Sequence, residues 1–254
     1  MRVKLLGAHQ GESRDARFMS LLVDGRLAID AGGLTGALTR DEQLAIEAVL
    51  ITHRHFDHVK DLPGLAHTLW KDKDLQLYCI PDTRDALRAH IFNGTLWPSL
   101  QEASDGYFAT IFNDVEPERA FTLLGYDILP ITMSHTVPTV GYLLEKEGKR
   151  VFYTADTRYE EHPRWVEQRL DLLIAETTMS SAYEEEASRF GHMTPLSLER
   201  VLRTFYAKQG YYPRTVCVHI NPAFEAEIHK EVAALATRLD ADITTGFEGT
   251  TLDL

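Results

Sequence analysis

Cysteine is scarce in this chain: Cys79 and Cys217 are the two among 254 residues. Two thiols cannot build a disulfide framework, so the sequence points to a reducing, cytoplasmic setting. No apolar run approaches the ~20 residues that span a bilayer, so no membrane partner is expected. The apolar part of Met1-Arg2-Val3-Lys4-Leu5-Leu6-Gly7 is too short for a signal peptide. Positive charge is also in deficit, with 26 Lys and Arg against 38 Asp and Glu and a formal net charge of -12. A long nucleic acid is held through clustered Lys and Arg, so it is a poor partner, whereas a small anion held by a metal remains open. Low-complexity linkers, internal repeats and composition breaks are absent, which makes residues 1–254 a single expected domain. The 44% hydrophobic and 25% charged residues are ordinary for a globular chain and exclude disordered and fibrous classes.

What is present begins with short β-type runs. Val3–Leu6, Met19–Val23 and Leu27–Asp30 come first, the last two joined by an Asp24-Gly25 turn that signals a hairpin. Ala48–Thr52 is a continuous apolar run of the kind that forms a buried strand. Leu75–Ile80 reads as a strand stopped by Pro81, and residues 60–70 and 82–92 read as helical. Further strands are expected at Tyr126–Ile131, Val140–Leu144, Val151–Thr154, Leu172–Ala175 and Val216–His219, with a Glu147-Gly148-Lys149 hairpin turn. Helices are expected near 162–169, 195–208 and 223–238, the second opened by Thr194 as cap and Pro195 as first helical residue. Hairpins first and alternating strands and helices later predict an α/β fold, a four-layer αββα sandwich.

The most informative string is Thr52-His53-Arg54-His55-Phe56-Asp57-His58. It puts four candidate ligands directly after a buried strand. His53 and His55 project to one side of an extended backbone; Asp57 and His58 follow as it turns, so two ions could each take neighbouring ligands. Imidazole and carboxylate without thiolate suit Zn²⁺, Mn²⁺ or Fe²⁺ and exclude a closed Cys-type zinc site. A plain surface histidine cluster is the competing reading. His135, Asp156 and His219 each stand where an apolar strand ends, which is where sites assemble in layered α/β proteins.

Together these residues resemble the metallo-β-lactamase superfamily over nearly the whole chain. The resemblance implies the αββα sandwich of that type with two metal ions at one edge. It assigns His53, His55 and His135 to one ion and Asp57, His58 and His219 to the other, with Asp156 bridging. The Ile29-Asp30-Ala31-Gly32 turn resembles the family's early strand-turn, whose Asp supports the site rather than ligating. A Glu in place of His55 would mark the di-iron redox members, so electron transfer is not implied.

The flanking residues favour one branch. Ser134-His135-Thr136-Val137-Pro138-Thr139-Val140-Gly141-Tyr142 runs straight into a strand, which resembles the phosphodiesterase branch, meaning ribonuclease Z and the class II cyclic-nucleotide phosphodiesterases. Gly191-His192-Met193-Thr194 and Leu173-Ile174-Ala175-Glu176-Thr177-Thr178 resemble that branch's histidine segment and the acidic strand that orients it. A carboxylate so placed fixes the tautomer and raises the basicity of its histidine. Residues 59–130 carry no basic arm: Lys60, Lys71, Lys73, Arg84 and Arg88 are balanced by Asp61, Asp72, Asp74, Asp82 and Asp85. Val218-His219-Ile220-Asn221-Pro222, followed by a helix with Glu225, Ile228 and Glu231, is similar to the closing motif of the cyclic-nucleotide enzymes. Phe56 replaces their usual Leu and Asp61 a small residue, so the chain reads as a relative of that class.

The resemblance therefore implies a dinuclear-metal phosphodiesterase acting on a small phosphodiester, foremost 3′,5′-cyclic nucleotides. Two divalent ions, with Zn²⁺ as the first choice, would bring the pKa of a water toward neutrality. Asp57, His192 and Glu176 are the catalytic candidates: Asp57 orients the nucleophile, and His192, held by Glu176, protonates the leaving oxygen. The alternatives are a tRNA 3′-end endonuclease, another metal-dependent hydrolase, and a non-catalytic metal-holding scaffold or ligand sensor. Members of this branch are commonly homodimers, which is the expected assembly. Phe56, Trp97, Tyr107 and Phe190 are base-stacking candidates, although such aromatics more often fill cores. His9 could face the site; His67, His90, His162 and His229 read as helix or surface residues. Glu184-Glu185-Glu186 reads as a solvated face, and Cys217 as a buried strand residue.

Overall fold

The computed structural model of the chain describes residues 1–101 and 108–254. The chain's contacts gather into two compact units, one comprising Met1–Gly7, Ser13–Glu116 and Glu248–Asp253, the other Ala8–Glu12, Pro117–Phe247 and Leu254. Tyr107 lies outside the described residues.

The first unit is built on strands β1 (Arg2–Gly7), β2 (Ser20–Val23), β3 (Leu27–Ile29), β4 (Ala48–Leu50), β5 (Leu75–Cys79) and β6 (Thr110–Asp114). The second is built on β7 (Phe121–Leu123), β8 (Tyr126–Met133), β9 (Thr139–Lys146), β10 (Lys149–Tyr153), β11 (Leu172–Glu176), β12 (Arg214–Val218) and β13 (Ile243–Thr245). A last strand, β14 (Thr251–Asp253), returns to the first unit and pairs antiparallel with β1. Among the described residues each sheet has seven strands, ordered β14-β1-β2-β3-β4-β5-β6 and β13-β12-β11-β10-β9-β8-β7. Both sheets are mixed: antiparallel hairpins give way to parallel strands from β3 to β6 and from β10 to β13.

Turn chemistry sets the hairpins. The Glu147-Gly148 and Leu124-Gly125 pairs both have left-handed φ at each residue (53° and 73°, 54° and 80°) and close two-residue turns, the type I′ geometry that matches strand twist. Asp24 and Gly25 are also left-handed, and Arg26 extends that loop to three residues before the Val23–Leu27 pairing resumes.

The helices of the first unit are α1 (Arg40–Ala45), α2 (Phe56–Val59), α3 (Leu62–Leu69) and α4 (Pro81–His90); those of the second are α5 (Glu184–Phe190), α6 (Pro195–Gln209) and α7 (Glu225–Leu239). Leu198, Val201, Leu202 and Phe205 of α6, with Ile228, Val232, Leu235 and Leu239 of α7, repeat at helical spacing. They are buried against Ile131, Phe152, Leu173 and Cys217 of the second sheet. Leu62, Leu65, Ala66, Leu69 and Leu87 do the same for the first sheet beside Val49, Leu77 and Cys79. Thr194 caps α6 through a hydrogen bond from the Ser197 amide, with Pro195 at the first helical position.

The helix expected near 162–169 is only a 3-10 turn at Arg164–Glu167, because Pro163 holds an extended backbone before it and no apolar period follows. The helix expected over 60–70 starts two residues later, after Asp61 spends its carboxylate on the Thr35 amide. Pro81 ends a strand and also opens α4. No helix among the described residues is long and apolar enough to cross a membrane.

Candidate metal centre

In the first unit β4 delivers the His53–His58 string. Leu50 is the last strand residue; the chain then runs irregularly to His55, and α2 begins at Phe56. The candidate ligand atoms of His53 and His55 lie within 4.8 Å of each other, as do those of Asp57 and His58. The His53 ring sits 4.7 Å from that of His55 and 4.2 Å from that of His58, between centroids. His53 and His58 are fully buried; His55 and Asp57 are half-buried.

Asp30 organises these rings. It follows β3 directly, has a left-handed φ of 58° and is completely buried. Its Oδ2 lies 2.7 Å from His58 Nδ1, and it accepts from the Thr52 amide (2.9 Å) and the Thr52 hydroxyl (2.9 Å to Oδ2). Having given its proton to Asp30, the Thr52 hydroxyl accepts from His53 Nδ1 at 3.0 Å. Both Nδ1 atoms therefore carry protons, and Nε2 is the nitrogen each ring offers to a metal.

In the second unit His135 follows β8, Asp156 follows β10, Glu176 ends β11, and His219 follows β12 with a left-handed φ of 60°. His219 is thus just past the strand expected to contain it. His135 donates from Nδ1 to the Gly191 carbonyl at 2.8 Å. His219 Nδ1 donates to the Thr178 hydroxyl at 2.8 Å. Again Nε2 is left for a ligand. The Asp156 carboxylate stands between these rings, Oδ2 3.7 Å from His135 Nε2 and Oδ1 3.5 Å from His219 Nε2. Those separations exceed ordinary hydrogen bonds. They approach the ~3.4 Å expected between N and O ligands held about 2.1 Å from one tetrahedral ion. Burial lowers the basicity of His135 despite the nearby Asp156, which favours the neutral imidazole a metal requires.

Glu176 and His192 come together beside this set. Glu176 Oε1 accepts from the amides of Thr157 (3.0 Å) and Met193 (3.1 Å) and lies 3.1 Å from His192 Nδ1. His192 Nδ1 is also 4.0 Å from Asp156 Oδ2. Glu176, His192 and His219 have candidate ligand atoms within 4.8 Å of one another. Glu176 is wholly buried, and the Thr157 and Met193 amides, the Thr178 hydroxyl and His192 Nδ1 all face its carboxylate.

Of the remaining residues singled out from sequence, Phe56, Trp97 and Phe190 are exposed rather than core. His9 is buried, its Nε2 3.5 Å from Glu225. His67 packs on Trp70, His229 approaches Glu225, and His90 and His162 are exposed. Glu184, Glu185 and Glu186 form the first turn of α5, where acidic residues favour the helix dipole. Cys79 and Cys217 are buried free thiols pushed up to about 12 by burial. Sequence reasoning gave no role to Thr52, Thr178 or Gly191. A supporting hydroxyl or carbonyl beside a ligand has no pattern of its own.

Residues 27–220 match the family described as the beta-lactamase superfamily domain. A ribonuclease Z of Halorubrum lacusprofundi is 24% identical over 80% of this chain and 79% of its own length. A probable 3′,5′-cyclic-nucleotide phosphodiesterase of Yersinia pestis is 25% identical over 80% of the chain and 66% of its own. The crystal structure of unliganded yeast PDE1 superposes with a TM-score of 0.81 at 18% identity, covering 100% of this chain and 99% of that one, which shows the fold. The curated relatives are hydrolases by name, and the imidazoles and carboxylates gathered in each unit suit the divalent metals typical of such a fold.

Proposed function

Because the chain belongs to the metallo-β-lactamase superfamily, we propose that residues 1–254 act as one hydrolase domain, a dinuclear-metal phosphodiesterase whose substrate is a small phosphodiester, foremost a 3′,5′-cyclic nucleotide. In this reading His53, His55 and His135 hold one divalent ion, Asp57, His58 and His219 the other, and Asp156 serves both. Bound there, the ions supply Lewis acidity and a water whose pKa falls toward neutrality.

The chain's own groups do the rest. Asp57 orients the attacking water. His192 carries a proton on Nε2 to the departing sugar oxygen while its Nδ1–H stays on Glu176, and that acid step contributes about 10²–10⁴-fold. The observation that carries the proposal is His192 itself: a nearly buried imidazole with Nδ1 on Glu176 and 4.0 Å from Asp156. A scaffold that only stores metal has no use for a proton donor in that position.

The net charge of -12 favours a small anion over a folded RNA. The ribonuclease Z relatives support tRNA 3′-end cleavage as the second reading. Zinc as the metal, a homodimer and a cytoplasmic setting complete the proposal; the free buried thiols support the last.

The test is purified protein with Zn²⁺ or Mn²⁺ on bis-p-nitrophenyl phosphate, then on cyclic AMP, cyclic GMP, cyclic pyrimidine nucleotides and a 3′-extended tRNA. Turnover of a cyclic nucleotide with the tRNA left intact is expected. Cleavage of the tRNA alone transfers the assignment to the second reading, and no turnover of any phosphodiester removes both. Elemental analysis and light scattering on the same sample read the metal and the assembly.

A further inference from the structure

Thr178 is where three segments of the second unit meet. Its amide donates to the Met193 carbonyl at 3.0 Å, and its carbonyl accepts from the Asn221 amide at 3.1 Å. The side chain is buried. Its hydroxyl oxygen lies 2.8 Å from Glu176 Oε2, 2.8 Å from His219 Nδ1 and 3.4 Å from His192 Nδ1.

One hydroxyl has one proton, and the carboxylate can only accept, so that proton goes to Glu176 Oε2. The oxygen's lone pairs then face the ring nitrogens, and the short contact must be His219 Nδ1–H donating to Thr178. The chain Glu176–Thr178–His219 has the same donor order as Asp30–Thr52–His53 in the first unit. In each, a fully buried carboxylate governs one imidazole directly (His58, His192) and a second through a threonine hydroxyl.

We propose that Thr178 is a positioning residue that ties His219 to the Glu176–His192 pair, so that one carboxylate sets both a metal-facing ring and the proton donor. This rests on the phosphodiesterase reading for the role of His192, but its effect on His219 does not. Without the hydroxyl His219 loses the partner that fixes its tautomer, and Glu176 loses one of its donors. Loss of such an outer partner weakens metal binding about 10–100-fold.

The experiment compares T178V, which keeps the shape and removes the hydroxyl, with T178S, which keeps the hydroxyl. Zinc affinity is read by chelator competition on metal-free protein, and kcat and KM on bis-p-nitrophenyl phosphate at saturating metal. T178V should bind zinc about 10–100-fold less tightly and lose kcat about 10-fold or more with KM nearly unchanged. T178S should restore both. Should T178V not fold, ¹⁵N NMR of the wild-type imidazoles decides, since His219 must carry its proton on Nδ1. Wild-type zinc affinity in T178V, equal losses in T178S and T178V, or an Nε2–H tautomer of His219 each overturns the proposal. A protein that shows the zinc effects yet hydrolyses no phosphodiester keeps the relay and loses the enzymatic reading.

Discussion

Gly191 offers the sharpest test of how the second ligand set is held. It terminates α5 with φ at 85°, and its carbonyl accepts from His135 Nδ1 at 2.8 Å. A Cβ built there would lie 2.5 Å from His135 Nδ1, 3.1 Å from its Cε1 and 3.2 Å from Thr136 Cγ2. Ordinary contacts start near ~3.5 Å, so in G191A the ring must retreat by about 1 Å. An L-residue at left-handed φ costs about 1–2 kcal/mol, and a misaligned hydrogen bond about 1 kcal/mol. The sum of about 2–3 kcal/mol lowers Tm by about 4–12 °C for a chain of this size. The displaced ring should weaken zinc binding about 10–100-fold.

The control is G210A. Gly210 ends α6 at φ 77° with nothing within 4 Å of its would-be Cβ, so it should show the backbone cost and wild-type zinc affinity. Thermal melts and chelator competition on the two variants read both quantities. If G191A and G210A melt alike and bind zinc alike, Gly191 does not buttress His135 and the reasoning fails.

Three further outcomes are expected. H192A should keep both metals and lose about 10²–10⁴ of kcat, measured by elemental analysis and steady-state kinetics; unchanged turnover removes His192 from the chemistry. D30N keeps a side chain that tolerates left-handed φ, removes the buried charge and turns one accepting oxygen into an NH2 donor against His58 or Thr52. Breaking that pair should cost about 3–5 kcal/mol by denaturant titration and lower the metal content, and a variant of wild-type stability would contradict the role given to Asp30. Cys79 and Cys217, with thiols pushed up to about 12, stay protonated in the native state. They should resist a thiol reagent at pH 8 until denaturant is added, and stability should fall as pH rises above the ordinary thiol range, where only unfolded chains ionise.

Much of the architecture was legible because its signals are local. The Glu147-Gly148 hairpin, the Thr194-Pro195 helix start and the strands before His53, His135, Asp156 and His219 are each written in adjacent residues. Short edge elements were not. β6, β7, β13 and β14 run three to five residues and are partly exposed, so neither alternation nor an apolar run marks them. Helix α5 hid behind its acidic first turn. The ligand candidates themselves were readable as strand-end His and Asp. The groups that orient them were not, because Thr178 and Gly191 act through a hydroxyl and a carbonyl whose partners stand 41 and 56 residues away.

The pairing of β14 with β1 bears on how the polypeptide is made. Val3 sits opposite Leu252, and everything between the first unit's two portions, residues 117–247, must leave the ribosome before that rung can form. Until then one side of β1 offers unsatisfied amides and carbonyls to any passing strand. Completion of the first sheet therefore waits on the synthesis of β14, and chains stalled before that point should be prone to sticking together.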